Sequence, residues 1–335
     1  MKRIWILDEG SQGHVVQSRG LIRELSKVVP LEVTEVPIPK SLSRSLVKRL
    51  LRRHRKMWLF HALHPRIQLP PGTPDLIISS GPHSLAALEF LAKFHGCPSV
   101  FVQGTVCVPV GAVTCILRPA EAETREDIIP IPLLFNEITP SGLQSAKGDY
   151  LAQSGLEKTA PLKALFIGES SRKIHFERPD WDLLAAFVNR AWQADGVQWL
   201  VSTSYRTRVE TEEQLRASIA QEAIFDAVWY SRAPRKITQA FLGMADQVFV
   251  TMDSLTMMTE AVSSGLPVEV LCPASHIFNP SDSHHRYIHG LHQSGLIHLR
   301  EPGEIAPAAF SPASKQEIDY SVAISKMIER IGWTP

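Results

Sequence analysis

Residues 250–271 read VTMDSLTMMTEAVSSGLPVEVL, a pattern that predicts a strand, a polar turn, a short helix and a second strand. The first N–H groups of a helix have no partner within the helix and carry partial positive charge, so Ser254 and Thr256 are well placed to hold a phosphate or diphosphate. Glu260, one to two turns farther along, is positioned to accept hydrogen bonds from a sugar hydroxyl. In the alternative interpretation, Asp253 or Ser254 only caps the helix and Glu260 is a surface charge.

The spacing of the polar residues in this segment resembles the donor loop of UDP-N-acetylglucosamine 2-epimerases and related GT-B glycosyltransferases. The matching positions are Asp-Ser at 253–254, Glu-Ala at 260–261 and Gly-x-Pro-Val at 265–268. The resemblance implies that the turn holds a nucleotide diphosphate and that Glu260 holds the ribose. Leu-Thr at 255–256 replaces the two glycines of the epimerases, and these bulkier side chains restrict how closely the backbone approaches the phosphates. This difference weakens the epimerase interpretation.

Length and composition are those of a globular protein with two domains. The chain has 335 residues, of which 44% are hydrophobic and 21% charged. It contains no apolar run of about 18 residues, so no transmembrane helix is expected. Asp8 and Glu9 interrupt any signal-peptide core, and the four cysteines lack the short paired spacing of metal or redox motifs. We therefore expect a cytoplasmic protein with reduced thiols.

Positive charge is concentrated in one segment. Residues 40–66 contain nine Lys and Arg and no Asp or Glu, which leaves 26 basic against 34 acidic residues in the rest of the chain. Within it, residues 40–60 have the pattern of a basic amphipathic helix, which is typical of a peripheral anchor on an anionic membrane, here the inner face of the plasma membrane. The alternative is a solvated helix that packs its leucines on its own domain. The candidate membrane-surface residues are Arg44, Lys48, Arg52, Arg53, Arg55 and Trp58.

Strand and helix patterns alternate along both halves of the chain. Apolar runs at 4–7, 31–36, 76–79 and 99–103 alternate with helical patterns, and the alternation restarts at 163–167. Alternating strands and helices are typical of doubly wound parallel sheets. We therefore predict an α/β protein of the GT-B class, with two Rossmann-like domains that face a cleft.

The predicted domains are residues 1–140, on the acceptor side, and residues 163–335, which bind the nucleotide sugar. The polar and less periodic segment 141–162 is interpreted as the linker between them. The helical pattern at 315–331 is expected to pack back on the N-terminal domain.

A glycine-rich turn follows the first predicted strand. Gly10 and Gly13 permit a tight turn and the close approach of an acceptor, and the turn ends in His14. An imidazole exchanges protons near neutral pH, so His14 is the candidate general base for glycosyl transfer. The turn resembles the N-terminal loop of lipid-linked GT-B enzymes, which also ends in Gly-His. The alternative is an ordinary turn with a histidine at the start of the helix.

The segment after the strand at 76–79 is a second candidate for the acceptor side. Ser80 and Gly81 end this strand, and His83 is a second candidate base. In the alternative interpretation, this segment only caps the helix that follows.

Three polar loops follow predicted strands in the second domain, at 168–173, 203–208 and 253–256. Small residues followed by cations suit a diphosphate, because glycine permits close approach and a guanidinium balances charge. Arg206 is the preferred cation for the leaving nucleotide diphosphate. The candidate donor-binding residues are Gly168, Ser170, Ser171, Ser204, Arg206, Asp253, Ser254, Thr256 and Glu260.

Four blocks of the chain, at 8–17, 77–81, 203–207 and 250–268, resemble the mitochondrial-fission (elongated mitochondria) protein family. The resemblance covers most of the chain and implies a GT-B fold and a nucleotide-sugar ligand. The chain departs from the family pattern at 231–234, where Ser-Arg-Ala-Pro replaces an expected Asn-Pro-Tyr motif near the base or ribose.

Four histidines, His276, His284, His285 and His289, are close in sequence, but no carboxylate or cysteine completes a zinc motif around them. We therefore expect no metal and no cofactor. Nucleic acid is not an expected partner either, because the sequence contains no recognised nucleic-acid-binding motif.

The sequence favours a metal-independent glycosyltransferase that moves a sugar from a nucleotide diphosphate to a lipid-linked or envelope-glycan acceptor. Two alternatives remain open, a nucleotide-sugar epimerase and a non-catalytic, membrane-associated adaptor.

Overall fold

The computed structural model describes residues 1–38, 49, 51, 56–64, 66–102, 108–119, 125–158, 160–169, 174–303 and 318–333. The chain divides into two units, each with its own parallel sheet. The first unit contains Met1–Glu137, Ser281–Tyr287 and Ile318–Pro335, and the second contains Ile138–Pro280 and Ile288–Glu317. Both units are of the predicted α/β class.

The sheet of the first unit has six strands. They are β1 (Lys2–Asp8), β2 (Leu31–Pro37), β3 (Leu76–Ser79), β4 (Ser99–Val102), β5 (Cys115–Pro119) and β6 (Ile128–Ile131). Their order in the sheet is β2-β1-β3-β4-β5-β6, so the chain reverses its direction of travel across the sheet between β1 and β3. Strands β3, β4 and β5 are buried along their whole length, as expected for a parallel sheet covered on both faces.

Helices cover this sheet. They are α1 (Gln12–Ser26), α2 (Met57–Leu63), α3 (Leu85–His95) and α10 (Ser321–Arg330). Phe60 of α2 stacks on Phe90 of α3 with their ring centroids 4.9 Å apart, which joins the two helices through a buried aromatic contact. The C-terminal helix α10 contacts β5 and β6 and therefore belongs to the first unit.

The sheet of the second unit also has six strands. They are β7 (Leu162–Ile167), β8 (Gln198–Thr203), β9 (Ile224–Val228), β10 (Gln247–Thr251), β11 (Val268–Leu271) and β12 (His298–Arg300). Their order is β12-β11-β10-β7-β8-β9, so the reversal lies between β7 and β10. Phe187, Trp199 and Phe249 form an aromatic cluster at the centre of the core, with ring centroids 5.2–5.4 Å apart.

The helices of the second unit are α4 (Pro140–Ser154), α5 (Arg178–Asp195), α6 (Val209–Ser218), α7 (Thr238–Met244) and α8 (Leu255–Ser263). A further helix, α9 (Ser283–Gln293), contributes its residues up to Tyr287 to the first unit and the remainder to the second.

The segment predicted to be a linker, 141–162, instead forms most of α4, and the second unit begins at Ile138. The helix has strong terminal signals: the Thr139 hydroxyl accepts a hydrogen bond from the Gly142 N–H (3.0 Å), and Pro140 occupies the first turn. Within α4, which the structure describes in full, only Leu143 is buried. Because the helix lacks an apolar stripe, its sequence has no helical periodicity to detect.

None of the described helices combines the length and the apolar composition that crossing a bilayer requires. Arg44, Lys48, Arg52, Arg53 and Arg55 lie outside the described residues, so the basic helix over 40–60 stays a prediction. Trp58 is described: its position in α2 leaves 65% of it exposed.

The contact between α4 and α7 depends on Gly243. A Cβ added there would lie 2.5 Å from the backbone carbonyl oxygen of Leu143, which cannot move away like a flexible side chain. We expect Gly243→Ala to lower the free energy of unfolding by about 1–3 kcal/mol, the usual cost of overpacking. Urea denaturation followed by circular dichroism measures this change.

Gly148→Ala in α4 is the matched control, since its added Cβ meets no atom within 4 Å. Alanine favours the helix by up to about 1 kcal/mol over glycine, so this variant should be slightly more stable. Equal destabilisation by both substitutions would contradict the close contact.

Candidate functional site

In each unit, the strand order reverses between two neighbouring strands, and the carboxyl ends of these two strands lie side by side. Leu7 of β1 pairs with Ser79 of β3, and Val250 of β10 pairs with Phe166 of β7. The loops that leave the carboxyl ends of these strands therefore meet. In open α/β sheets, ligands bind at this point, where the strand order reverses.

The first-unit loops meet at a buried carboxylate, Glu9. Its Oε1 lies 2.7 Å from Nδ1 of His14, and its Oε2 accepts hydrogen bonds from the backbone N–H groups of His83 (2.7 Å) and Ser84 (3.0 Å). Burial alone would raise the pKa of Glu9. The hydrogen bond and charge of His14, together with the two backbone donors, outweigh burial, and the pKa of Glu9 is lowered.

The contact with Glu9 determines which ring nitrogen of His14 carries the proton. An ionised carboxylate only accepts hydrogen bonds, so Nδ1 of His14 carries the proton that Glu9 accepts. In the neutral imidazole, Nε2 then retains its lone pair and is able to take a proton from a ligand. The side chain of His14 is 28% exposed, in the first turn of α1, so Glu9 orients a partly accessible base.

The other predicted acceptor-side residues have different surroundings. Ser80 is buried, and its hydroxyl donates to the backbone carbonyl of His14 (2.6 Å), so it ties α1 to β3 rather than lining an open surface. Gly81 leaves room for Glu9, because a Cβ there would lie 2.4 Å from the Glu9 carboxyl carbon and would displace the carboxylate from its hydrogen bonds. Gly10 has φ +79°, a conformation that favours glycine, and Gly13 lies within the first turn of α1. The side chain of His83 is partly exposed.

The second-unit loops meet at another buried carboxylate, Asp253. Its Oδ2 lies 2.9 Å from Nη2 of Arg206, and its side chain is fully buried, whereas that of Arg206 is 28% exposed. A Cβ added to Gly168 would lie 2.3 Å from the same Oδ2. Burial raises the pKa of Asp253, although the charge of Arg206 acts in the opposite direction. Asp253 thus holds the guanidinium of Arg206 from the buried side. The absence of a side chain at Gly168 leaves room for the Asp253 carboxylate.

Hydroxyl groups fix the backbone around Gly168. Its N–H donates to Oγ1 of Thr251 (2.7 Å), and its carbonyl accepts from Oγ of Ser204 (3.1 Å). Ser204 is buried and therefore supports the loop instead of meeting a ligand directly. Ser170 and Ser171, also predicted to bind the donor, lie outside the described residues.

Helix α8 begins directly after Asp253. Ser254 is its N-cap residue, and in this part of the described chain its hydroxyl makes no capping hydrogen bond to the helix. The first N–H groups of α8 therefore lack this side-chain acceptor. Thr256 and Glu260 are both partly exposed and lie four residues apart, which puts them on one face of the helix.

Glu169 was not predicted as part of this site. It is 1% exposed and has φ +105°, a strained conformation for a residue other than glycine. Its carboxylate accepts hydrogen bonds from the backbone N–H and Nε of Arg208 and from Oγ1 of Thr211 (2.9 Å), at the start of α6. These contacts hold the strained turn that follows β7 and so set the position of Gly168.

Glu9 was also missed, although it stands five residues before His14 in the same turn. Its role depends on contacts with residues 74 and 75 positions farther along the chain. The signal for Glu9 in the sequence is an acidic residue beside a glycine-rich turn.

Two described cations of the second-unit site are paired with carboxylates. The charge of Arg206 is offset by Asp253 and that of Arg208 by Glu169. Among the described groups, the N-terminal N–H groups of α8 and the close approach that Gly168 permits add attraction for an anion. Among the described residues, no group of three or more His, Cys, Asp or Glu side chains is arranged to hold a metal ion.

The Glu9→Gln variant tests whether the ionised carboxylate of Glu9 contributes to the free energy of unfolding. The folded-state pKa of Glu9 lies below its usual value of 4.5, so its ionised form stabilises the fold fully above that pH, and the stabilisation is lost as the pH falls through the folded-state pKa. We expect the substitution to cost about 1–3 kcal/mol at pH 7, because the amide removes the negative charge and keeps only one of the two oxygens that accept the hydrogen bonds of Glu9. Urea denaturation across a pH series measures the difference.

The difference between the wild type and Glu9→Gln should shrink as the pH falls below 4.5. Glu222→Gln, at an exposed position of the second unit, is the control and should change stability little at any pH. A difference that stays constant with pH would show that the charge of Glu9 has no stabilising role.

Comparison with known proteins agrees with this architecture. The model of the Mitochondrial fission ELM1 family matches residues 12–321 of the chain. UDP-GlcNAc 2-epimerase from Methanocaldococcus jannaschii is similar in structure, with a TM-score of 0.59, 12% identity, and coverage of 98% of this chain and 99% of that chain. No significant match exists among curated proteins.

Two further solved structures are similar to the chain. The S. aureus MnaA–UDP co-structure has a TM-score of 0.52 and 12% identity and covers 99% of this chain and 96% of that chain. E. coli ADP-heptose LPS heptosyltransferase II has a TM-score of 0.50 and 13% identity, with 99% and 98% covered. The predicted fold class is thereby confirmed: the chain belongs to the Mitochondrial fission ELM1 family and has the GT-B fold of two Rossmann-like units that glycosyltransferases and UDP-GlcNAc 2-epimerases share.

Proposed function

We propose that this protein is a glycosyltransferase that uses a nucleotide diphosphate sugar as donor and a lipid-linked or envelope-glycan molecule as acceptor. The observation that carries the proposal is the meeting of Gly168, Arg206 and the N-terminus of α8 at the strand-order reversal of the second unit. Structures with this fold include one in complex with UDP, which supports a nucleotide as the ligand.

The diphosphate binds at the start of α8. Its oxygens accept hydrogen bonds from the first N–H groups of the helix and from the hydroxyl of Ser254 or Thr256, and the absence of a side chain at Gly168 permits close approach. Glu260 lies one turn beyond Thr256 on the same face, where it accepts hydrogen bonds from the ribose. This arrangement aligns the nucleotide along α8.

Arg206 stabilises the departing nucleotide. As the bond between the anomeric carbon and the diphosphate breaks, negative charge grows on the leaving oxygen, and a guanidinium held in place lowers the energy of that state. Asp253 holds Arg206 through the 2.9 Å contact, so little reorganisation is needed during the reaction. We propose no metal cofactor, since Arg206 and the helix N-terminus supply the positive charge.

Two exposed tyrosines are candidates to stack on the nucleobase. Tyr205 follows β8 and is 75% exposed, and Tyr230 follows β9 and is 43% exposed, with their ring centroids 6.4 Å apart. Tyr230 is held by a hydrogen bond from its backbone N–H to Oγ1 of Thr203 (2.8 Å). Aromatic faces bind bases by stacking, which tolerates different bases.

His14 acts as the general base on the acceptor. Its Nε2 takes the proton from an acceptor hydroxyl while that oxygen forms a bond to the anomeric carbon, and the nucleotide diphosphate leaves with the electron pair of the broken bond. Glu9 holds the ring in the required tautomer and stabilises the imidazolium that forms. We further propose that the protein works in the cytoplasm, peripherally attached to the inner face of the plasma membrane through segment 40–60.

The nucleotide site is tested by measuring the affinity of the Glu260→Ala variant for UDP. Loss of hydrogen bonds to a charged acceptor costs about 1.5–3 kcal/mol, so the dissociation constant should rise by about 10- to 100-fold. Isothermal titration calorimetry measures it, and Glu222→Ala, an exposed glutamate of the same unit, is the matched control. Equal affinity of Glu260→Ala and the wild type would remove the ribose assignment.

Thermal stabilisation by nucleotides gives an independent measure. A ligand at 100 times its dissociation constant should stabilise the folded protein by about 2.7 kcal/mol. No stabilisation by any nucleotide would favour the non-catalytic adaptor instead.

A nucleotide-sugar epimerase is the second candidate, favoured by the TM-score of 0.59 to a UDP-GlcNAc 2-epimerase. Incubation with UDP-GlcNAc in the absence of an acceptor distinguishes the two activities by NMR of the sugar nucleotide. We expect the sugar of the nucleotide to keep its configuration, because Leu255 and Thr256 stand where the epimerases have two glycines. Conversion to a second UDP-sugar would favour the epimerase.

A further inference from the structure

The first unit contains a cavity that the proposed transfer reaction does not use. It lies between the end of α1 and the C-terminal helix α10, and every residue that lines it belongs to the described part of the chain. Its volume is about 470 Å³, within the range typical of sites for small ligands. The base candidate His14 is in the first turn of α1, whereas Lys27, which lines the cavity, follows the last turn, so the two are about 20 Å apart along the helix axis.

The inner wall of the cavity is apolar. It is formed by Ile324, Ile328 and Trp333, which are 4%, 5% and 9% exposed. Ile324 and Ile328 are four residues apart and therefore share one face of α10. Trp333 is held by its backbone N–H, which donates to the carbonyl of Ile328 (3.0 Å), and by the ammonium group of Lys2, 5.2 Å from the centre of its ring. A fixed apolar wall of this kind favours a ligand with an apolar body.

The charged side chains around the cavity are mostly acidic. The lining contains three carboxylates and one cation, namely Glu24, Asp319, Glu329 and Lys27. The charge of Lys27 is already offset, because its Nζ lies 2.5 Å from Oε2 of Glu24, whose other oxygen is 2.9 Å from Nη2 of Arg23. Asp319 and Glu329 are both exposed, and neither forms an ion pair with any residue that the structure describes. Two carboxylates at the rim are therefore available to a cation.

The ionised form of Asp319 is stabilised locally. Its two oxygens accept hydrogen bonds from the backbone N–H (2.8 Å) and the hydroxyl (2.9 Å) of Ser321. These bonds lower the pKa of Asp319, and the charge of Lys27 adds a smaller effect in the same direction. The cavity thus combines an apolar inner wall with a negatively charged rim.

We infer that this cavity binds a small organic cation, in which an ammonium group is attached to an apolar body. The apolar body contacts Ile324, Ile328 and Trp333, and the ammonium group lies at the rim with Asp319 and Glu329. The inference goes beyond the proposed transfer reaction and does not depend on it.

The test uses the full chain and three probes with the same indole ring and different charges: tryptamine, the neutral tryptophol and the anion indole-3-propionate. Titration calorimetry at pH 7 measures their affinities. We expect a one-to-one complex with tryptamine, about fivefold weaker binding of tryptophol, the upper range for an exposed ion pair, and still weaker binding of indole-3-propionate. No complex with tryptamine, or equal affinity for tryptamine and tryptophol, would overturn the inference.

Two variants locate the site. The double variant Asp319→Asn/Glu329→Gln removes both rim charges and should weaken tryptamine binding about fivefold, to the affinity of tryptophol, while tryptophol binding stays unchanged. Ser325→Phe starts from an exposed position in the lining and fills part of the cavity. It should weaken both probes about tenfold, the effect of losing contact with roughly two methylene-sized groups. Wild-type affinity for tryptamine in either variant would overturn the inference.

Val322→Phe is the matched control for Ser325→Phe. Val322 belongs to the same helix and is 64% exposed, but it does not line the cavity, so the affinity for tryptamine should not change. Glu210→Gln/Glu222→Gln, at two exposed positions of the second unit, controls for the change in net charge. Weaker tryptamine binding in either control would show non-specific association and would also overturn the inference.

Thermal unfolding of each variant verifies that it is folded. The assay contains no nucleotide and its variants lie outside the proposed donor site, so its result is independent of UDP binding.

Discussion

Each unit buries one carboxylate against a glycine at the point where its strand order reverses. Glu9 lies against Gly81 in the first unit and Asp253 against Gly168 in the second, and in both cases a Cβ on the glycine would lie within 2.4 Å of the carboxyl group. Burying a carboxylate is unfavourable unless it gains close partners. The two loops that meet there are consequently constrained together, and the group that the carboxylate holds becomes well defined: His14 in one unit and Arg206 in the other.

The pKa values of the two carboxylates are shifted in opposite directions, and each direction matches the group that the carboxylate holds. Burial would raise the pKa of Glu9, but His14 and, to a smaller extent, the backbone N–H groups of His83 and Ser84 stabilise its ionised form, and its pKa is lowered. Burial dominates for Asp253, and its pKa is raised despite the charge of Arg206. The first unit therefore holds a carboxylate whose ionised form is favoured and which orients a base, whereas the second holds a buried carboxylate in contact with a cation that reaches the surface. A reaction that removes a proton from one substrate and stabilises negative charge on another needs both kinds of group.

The sequence was sufficient to predict the elements with strong local signals. The strand at 76–79 has the predicted bounds, because it is a short apolar run that ends at a polar turn. Strand β6, which reads Ile-Ile-Pro-Ile, was not predicted, since proline normally argues against a strand. It is tolerated here because β6 is an edge strand of its sheet. The helix α4 was missed for the opposite reason, because it has terminal signals but no apolar stripe.

Long-range contacts determine what the predicted site residues do, and local sequence does not contain them. Ser80 and Ser204 were predicted to meet a ligand, yet each is buried and supports a backbone group of the residue that matters, His14 or Gly168. A serine at the end of a strand is equally consistent with either role, and the pairing of β1 with β3 and of β7 with β8 decides between them.

The proposed reaction is consistent with the pairing of two described cations of the second-unit site with carboxylates. Arg206 is paired with Asp253 and Arg208 with Glu169, so each of these two cations already has a carboxylate partner. Backbone N–H groups at a helix start bind an anion without a counterion that must first be displaced, and their geometry is fixed by the fold. In the proposed reaction, a nucleotide held in this way remains aligned as negative charge builds on its diphosphate. Arg206 then only has to stabilise the charge on the leaving oxygen. In the proposed reaction, the side chains of Leu255 and Thr256 limit how closely the phosphates approach the helix, which is the difference that separates this chain from the two-glycine loop of the epimerases.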